Sequence, residues 1–95
     1  MGSARCTLEG TIRDADAPFA SLHGFQPDEL MGRSVAGLIA AHCRGELPLH
    51  LLIACSRGSH AYPSVHRTRD GAEFPVEVSL ELDAGTVLYD VRGAA

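Results

Sequence analysis

Five histidines and three cysteines are the residues of this 95-residue chain best equipped for chemistry. The imidazoles of His23, His42, His50, His60 and His66 can ligate metal, move protons or change charge near neutral pH. Structural zinc takes its ligands in closely spaced pairs. His42, Cys43, His50 and His60 are not paired in that way, so no metal is expected. Ser56 lies close to His60, yet no buried acid can be assigned to orient that histidine. There is also no nucleophile elbow, phosphate loop or metalloprotease helix. The expected chemistry is binding, not turnover, and the chain is not expected to be an enzyme.

The cysteines point the same way. Cys6, Cys43 and Cys55 are odd in number and share no regular spacing, which suits a reduced, cytoplasmic chain better than a disulfide framework. They read as small hydrophobes in or near a core. With 45% hydrophobic residues, 95 residues make one domain, 1–95, with a single modest core. The net charge is −4, and the basic residues are scattered apart from the short Arg67/Arg69 pair, which argues against a nucleic-acid surface. No apolar run is long enough to cross a bilayer. Residues Met1 to Arg5 lack the apolar core of a signal peptide and read as a disordered or vector-derived leader outside the fold. Cys6 also breaks the myristoylation pattern.

The elements that must position these side chains follow from periodicity and punctuation. Residues Cys6 to Ile12 suggest two short strands about a turn at Gly10. Asp14 or Asp16 caps a helix entered through Pro18, with Phe19 and Leu22 on one face and Gly24 as its stop. Pro27 opens a second short helix, Asp28 and Glu29 sit near its positive end, and Gly32 closes it. Ser34 to Ile39 suit a single turn. A longer helix is expected over about Pro48 to Ser56, apolar nearly all the way round. From Glu73 the period changes to two, with Phe74, Val76, Val78, Leu80 and Leu82 on one face and Glu73, Glu77, Ser79, Glu81 and Asp83 on the other. Asp70-Gly71 joins this strand to an earlier one over about Tyr62 to Thr68, and Asp83-Ala84-Gly85 joins it to a later one over Thr86 to Val91. The sum is an α+β domain: a five-stranded antiparallel sheet with short helices and one longer helix packed on one face.

Two blocks of this chain, in this order, resemble PAS sensor domains. Residues 16–32 follow the pattern N-x-x-F-x-x-L-x-G-[YF]-x-x-[DE]-E-L-x-G through Phe19, Leu22, Gly24, Phe25, Asp28, Glu29, Leu30 and Gly32, with Asp16 where Asn is usual. Residues 67–82, RTRDGAEFPVEVSLEL, give the R-x-x-DG hairpin and the F-P-V-E-V-S strand that follows it. The resemblance covers about Leu8 to Arg92 and implies the PAS fold. It leaves ligand and output open, because one fold hosts many functions.

The resemblance also implies a site. Phe19, Leu22, Leu38, His50, Leu51, Leu52, Phe74, Val76, Val78 and Leu80 become candidate walls of a ligand cavity, most of them also ordinary core positions. Glu29 is expected to pair with Arg67 or Arg69 beside the hairpin. Some PAS domains hold haem through a histidine of the long helix, and His50 lies on that helix; registering His42-Cys43-Arg44 against those sensors puts their ligand near Leu47, so haem is not expected. His42-Cys43-Arg44 also resembles the N-C-R core of the light-sensing LOV branch, but there the reactive cysteine would fall at Val35, which has no thiol. LOV-type flavin chemistry is thereby excluded. PAS domains usually carry charge on the outer face of the long helix, whereas Leu49, Leu52 and Ile53 here oppose Leu51 and Cys55; a symmetric homodimer would cover the spare apolar face. The expectation is a cytoplasmic sensory or signal-relay module for two-component or transcriptional signalling. It would bind a small ligand or a partner, dimerise, and act on a linked output, without nucleic-acid or membrane contact. The alternative is a ligand-free interaction and dimerisation domain, with a haem-binding gas or redox sensor using His50 as a lesser one.

Overall fold

The C-terminal half of the molecule is built by two turns. At the second, Asp83 pairs with Thr86 across a two-residue loop, and both loop residues, Ala84 (φ 49°) and Gly85 (φ 82°), take the left-handed conformation that this tight hairpin requires. The first is a longer loop in which Thr68 N–H donates to Ala72 O (2.8 Å) and Gly71 N–H donates to Thr68 O (3.0 Å). These turns fold three strands, β3 (Ser59–Arg67), β4 (Glu73–Asp83) and β5 (Thr86–Gly93), into an antiparallel meander. The computed structural model describes residues 1–94.

The meander is completed by β1 (Gly2–Cys6) and β2 (Ile12–Ala15), giving a five-stranded antiparallel sheet in the order β2-β1-β5-β4-β3. Helix α1 (Ala17–His23), α2 (Pro27–Leu30), a 3-10 turn (Val35–Leu38), α3 (Ala41–Arg44) and α4 (Leu47–Arg57) connect β2 to β3. The buried strand residues alternate, so one sheet face carries the core under these helices. On β4 the inward row is Val76, Val78 and Leu80, with Phe74 and Leu82 half-buried. On β5 it is Val87, Tyr89 and Val91.

Local chemistry explains the helix ends. The Asp16 carboxylate accepts from the Phe19 N–H (2.8 Å), and Gly24 closes α1 in the left-handed conformation. Gln26 N–H donates to the Glu29 carboxylate (2.8 Å) at the start of α2. Helix α4 runs one residue further at each end than its sequence suggests, and Gly58 caps it.

One expectation is overturned. Residues Met1 to Arg5 were expected outside the fold, and the two N-terminal strands within Cys6–Ile12. Instead Gly2 to Cys6 form β1, an interior strand paired on both sides, and Thr7–Thr11 form the turn. The inward residues are Gly2, Ala4 and Cys6, whose small side chains do not register as an apolar strand. Smallness is required there: a Cβ on Gly2 would lie 2.3 Å from the Phe19 backbone nitrogen, so α1 rests directly on β1.

Two substitutions test this arrangement. Val78 is 1% exposed, so Val78→Asp buries an unpaired carboxylate and should abolish soluble folding; a wild-type-like thermal melt would contradict the inward register. Ala84→Asn should raise stability by about 0.5–1 kcal/mol in chemical denaturation, because asparagine tolerates the left-handed conformation better than alanine.

Candidate functional site

The layer between the helices and the sheet holds a continuous run of aromatic and imidazole rings. Phe19 and His23 stand one helical turn apart on the underside of α1 and are fully buried. The inner face of β3 carries His60, Tyr62 and His66, because strand alternation sends residues of the same parity to one side. Pairing with β4 places Tyr62 opposite Val78 and His66 opposite Phe74. Tyr89 of β5, also fully buried, completes the cluster. Neighbouring rings meet at centroid distances of 4.8 Å (Phe19–His23), 5.1 Å (His23–His66) and 6.0 Å (His66–Tyr89).

Hydrogen bonds turn this cluster into a directed chain. His23 Nδ1 lies 2.8 Å from the Phe19 carbonyl, which can only accept, so Nδ1 carries the proton. In the neutral ring Nε2 then accepts, and His66 Nδ1, 2.9 Å away, must donate to it. His66 Nε2 is left as an acceptor for the Tyr89 hydroxyl at 3.3 Å. Two neutral histidines thus permit one assignment: Tyr89 to His66, His66 to His23, His23 to the α1 backbone. A proton added at His23 Nε2 would reverse it, with His23 donating to His66 and His66 donating to Tyr89.

Burial keeps the chain neutral. It pushes His66 down to about 3, with His23 adding to the effect, and lowers His23 as well, opposed by the Phe19 carbonyl bond. Phe19, Phe74 and Tyr89 pack against the pair, and no carboxylate lies within salt-bridge distance of either ring among the described residues. Burial raises the Tyr89 phenol strongly, and raises Tyr62 too. The Tyr62 hydroxyl is buried beside the Tyr89 hydroxyl, close enough for the two to interact but without a hydrogen bond of normal length among the described residues.

Tyr62 links this interior to a second pair. The His50 ring stacks on Tyr62 at 3.5 Å and 5°, and His50 Nδ1 lies 3.0 Å from His60 Nε2. The Glu46 carboxylate stands 3.9 Å from His50 Nε2 on the same helix. Two ring groups, one with His23 and His66 under α1 and one with His50 and His60 beside α4, thus meet where Tyr62 lies beside Tyr89, and His42 stands exposed.

Among the residues expected to wall a cavity, Phe19, Leu38, Leu51, Val76, Val78 and Leu80 are buried, and Leu22, His50 and Phe74 are half-buried. Leu52 does not belong to that set. It is 62% exposed, because α4 turns Leu47, Leu51 and Ala54 inward and carries Leu52 to the opposite side, next to Leu49. Of the two arginines, Arg69 pairs with Glu29, whose carboxyl is held below its usual range by the Gln26 N–H and by Arg69. Arg67 does not take part; its Nε donates to Gly37 O (3.4 Å).

Sequence reasoning passed over His23, His66 and Tyr89. His23 follows Phe19 by four residues, which puts both on one helix face, and the parity of β3 across the hairpin fixes His66 inward. Both signals were available, but an apolar template scores histidine as surface.

A sheet ordered 2-1-5-4-3 with its helices packed on one face is the arrangement of the PAS fold, and solved structures agree. A PAS domain of an HTR-like protein from Haloarcula marismortui is 21% identical at a TM-score of 0.80, covering 98% of this chain and 80% of its own. The PAS domain of a LuxR-family transcriptional regulator from Burkholderia thailandensis, in complex with ethanol, is 18% identical at 0.81, covering 97% and 87%. The PAS domain of the Cronobacter turicensis quorum-sensing receptor RpfR, in complex with BDSF, is 10% identical at 0.83, covering 99% and 93%. No protein-family model and no curated protein matches the sequence. The chain has the PAS fold. No helix among the described residues is long and apolar enough to cross a membrane.

The histidine chain predicts acid sensitivity. An unfolded histidine titrates near 6.5, and the folded values lie lower, so the unfolded state binds more protons as pH falls below that point. The stabilisation is complete above about pH 6.5 and is lost on acidification toward about 3, at roughly 1.4 kcal/mol per pH unit for His66 alone. Denaturation at pH 7 and pH 5 should show a loss of about 2 kcal/mol. His66→Phe should flatten that dependence while costing about 1–3 kcal/mol at pH 7.

Proposed function

We propose that this domain is a cytoplasmic sensory or signal-relay module, acting by binding and repacking, with a linked output elsewhere in its pathway. The observation that carries the reading is the buried chain from Phe19 through His23 and His66 to Tyr89. It crosses from helix to sheet and ties α1 to β3 and β5 by directed hydrogen bonds, so a small ligand or partner that favours one packing of α1 on the sheet would shift the population between packings. PAS domains from a sensor histidine kinase, a transcriptional regulator and a quorum-sensing receptor share the fold, and this supports a signalling role.

The ligand would act at the ring stack, where the orphaned Tyr62 hydroxyl offers a polar group. Haem does not suit the site, because His50 is already stacked on Tyr62 and hydrogen-bonded to His60. The second reading, a ligand-free interaction domain, is favoured by how fully the rings occupy the interior. In either case self-association would use the outer face of α4, where Leu49 and Leu52 are 58% and 62% exposed and Leu52 shares an apolar groove with Leu8 of the β1–β2 turn. Ile53, expected to share that face, is half-buried and contributes less.

Native mass spectrometry of the purified protein separates these readings: a retained small molecule supports the sensor, and an apo spectrum at every concentration supports the interaction domain. The dimer should sediment as such at micromolar concentration and dissociate on Leu52→Glu without unfolding. Incubation with haemin should produce no Soret band; a band lost in His50→Ala but kept in His23→Ala would make His50 a haem ligand.

A further inference from the structure

Away from the ring stack, a groove of about 450 Å³ opens between the 3-10 turn and the β3–β4 loop. Its lining includes Arg33, Arg67 and Arg69 and no acidic residue. That is a marked local excess in a chain with 8 basic and 12 acidic residues. Phe25 and Leu38 supply an apolar floor, and the guanidinium carbons of Arg33 and Arg69 lie 5.1 and 4.5 Å from the Phe25 ring centroid.

Each arginine makes one hydrogen bond to the protein, which orients it and leaves its remaining donors free. Arg33 donates through Nε to Glu29 O (2.9 Å), and Arg67 through Nε to Gly37 O (3.4 Å). Arg69 donates through Nη2 to the Glu29 carboxylate. Among the described residues, neither Arg33 nor Arg67 has a carboxylate within salt-bridge distance, and their terminal N–H groups have no protein acceptor. A guanidinium held by its stem, with its planar fork unfilled, matches the bidentate geometry of carboxylate and phosphate. A concave site with an aromatic floor and a few convergent polar groups is the usual form of a small-molecule pocket.

We propose that this groove binds a small organic anion. Its carboxylate or phosphate lies between Arg33 and Arg67, and its apolar ring or chain lies on Phe25 and Leu38. Occupancy would give Arg33 and Arg67 the anionic partner they lack and tie the 3-10 turn to the β3–β4 loop. The inference stands apart from the ring stack and holds whether or not the domain relays a signal.

The test is titration of ¹⁵N-labelled protein, followed by amide correlation spectra, at pH 7 and about 20 mM salt, where charge contacts are weakly screened. The probes are phenyl phosphate, benzoate, inorganic phosphate and benzyl alcohol. Saturable shifts at Ser34, Gly37 and Thr68 are expected with the two aryl anions, with inorganic phosphate weaker by about tenfold and benzyl alcohol silent. Arg67→Gln and Arg33→Gln should each weaken phenyl phosphate by about tenfold, and Arg67→Lys by less. Arg57→Gln, on α4, should change nothing, and the same spectra report whether each variant is folded. Linear, unsaturated shifts, equal binding of inorganic and phenyl phosphate, or equal weakening by Arg57→Gln would overturn the proposal.

Discussion

The interior depends on the register between β3 and β4. Antiparallel pairing puts Ser59 opposite Glu81 and Arg67 opposite Glu73, and everything between follows in step. Side chains alternate along a strand, so a slip of one residue would turn Tyr62 and His66 out to solvent and bring Ala61, Val65 and Arg67 inward. The five-residue loop around Asp70-Gly71 holds this register at one end. At the other, Leu82 N–H donates to Gly58 O (2.9 Å), tying the end of α4 to β4. The histidine chain and the position of Arg67 both depend on that alignment.

Given the register, the core is assembled from unusual materials. Most inward positions are aliphatic, but the middle of the layer is filled by two imidazoles and two phenols. Such groups are costly to bury unless hydrogen-bonded. Three of the four are bonded to one another, and the terminal bond goes to the backbone of α1, so the network is satisfied with no water or charge required. Tyr62 is the exception, and its ring is nonetheless retained between His50 and the interior by stacking. The network therefore favours one arrangement of α1 over the sheet more sharply than an oily core of equal volume would.

The sequence made some of this legible and hid the rest for physical reasons. The long alternation of β4 and the Asp70-Gly71 and Ala84-Gly85 turns are strong local signals, and they correctly placed the meander and the inward face of Val76, Val78 and Leu80. Helix caps at Asp16 and Gly24 were equally plain. β1 was missed because Gly2, Ala4 and Cys6 are small to let α1 approach, and small residues carry little periodic signal. Leu52 was assigned both to the cavity wall and to the outer face because a helix with leucine, isoleucine and cysteine on several faces does not declare which face is inward, and only the outer placement holds. His23 and His66 went unrecognised because their burial depends on each other, a long-range fact that no window of local sequence contains.

The sheet order has a consequence for how the chain reaches this state. β1 pairs with β5 from Gly2–Val91 to Cys6–Val87, joining strands from opposite ends of the described residues. The β3–β4–β5 meander can form from contacts local in sequence, but β1 must wait for β5, so closing the sheet carries the entropy of a loop spanning most of the domain. During synthesis β1, made before the other four strands of this sheet, would be among the last to pair. Until then it, together with the uncovered edge of β5, would be exposed to mispairing with other chains. Folding speed and aggregation during expression should respond more to changes in β1 and β5 than to changes in the hairpin that joins β3 to β4.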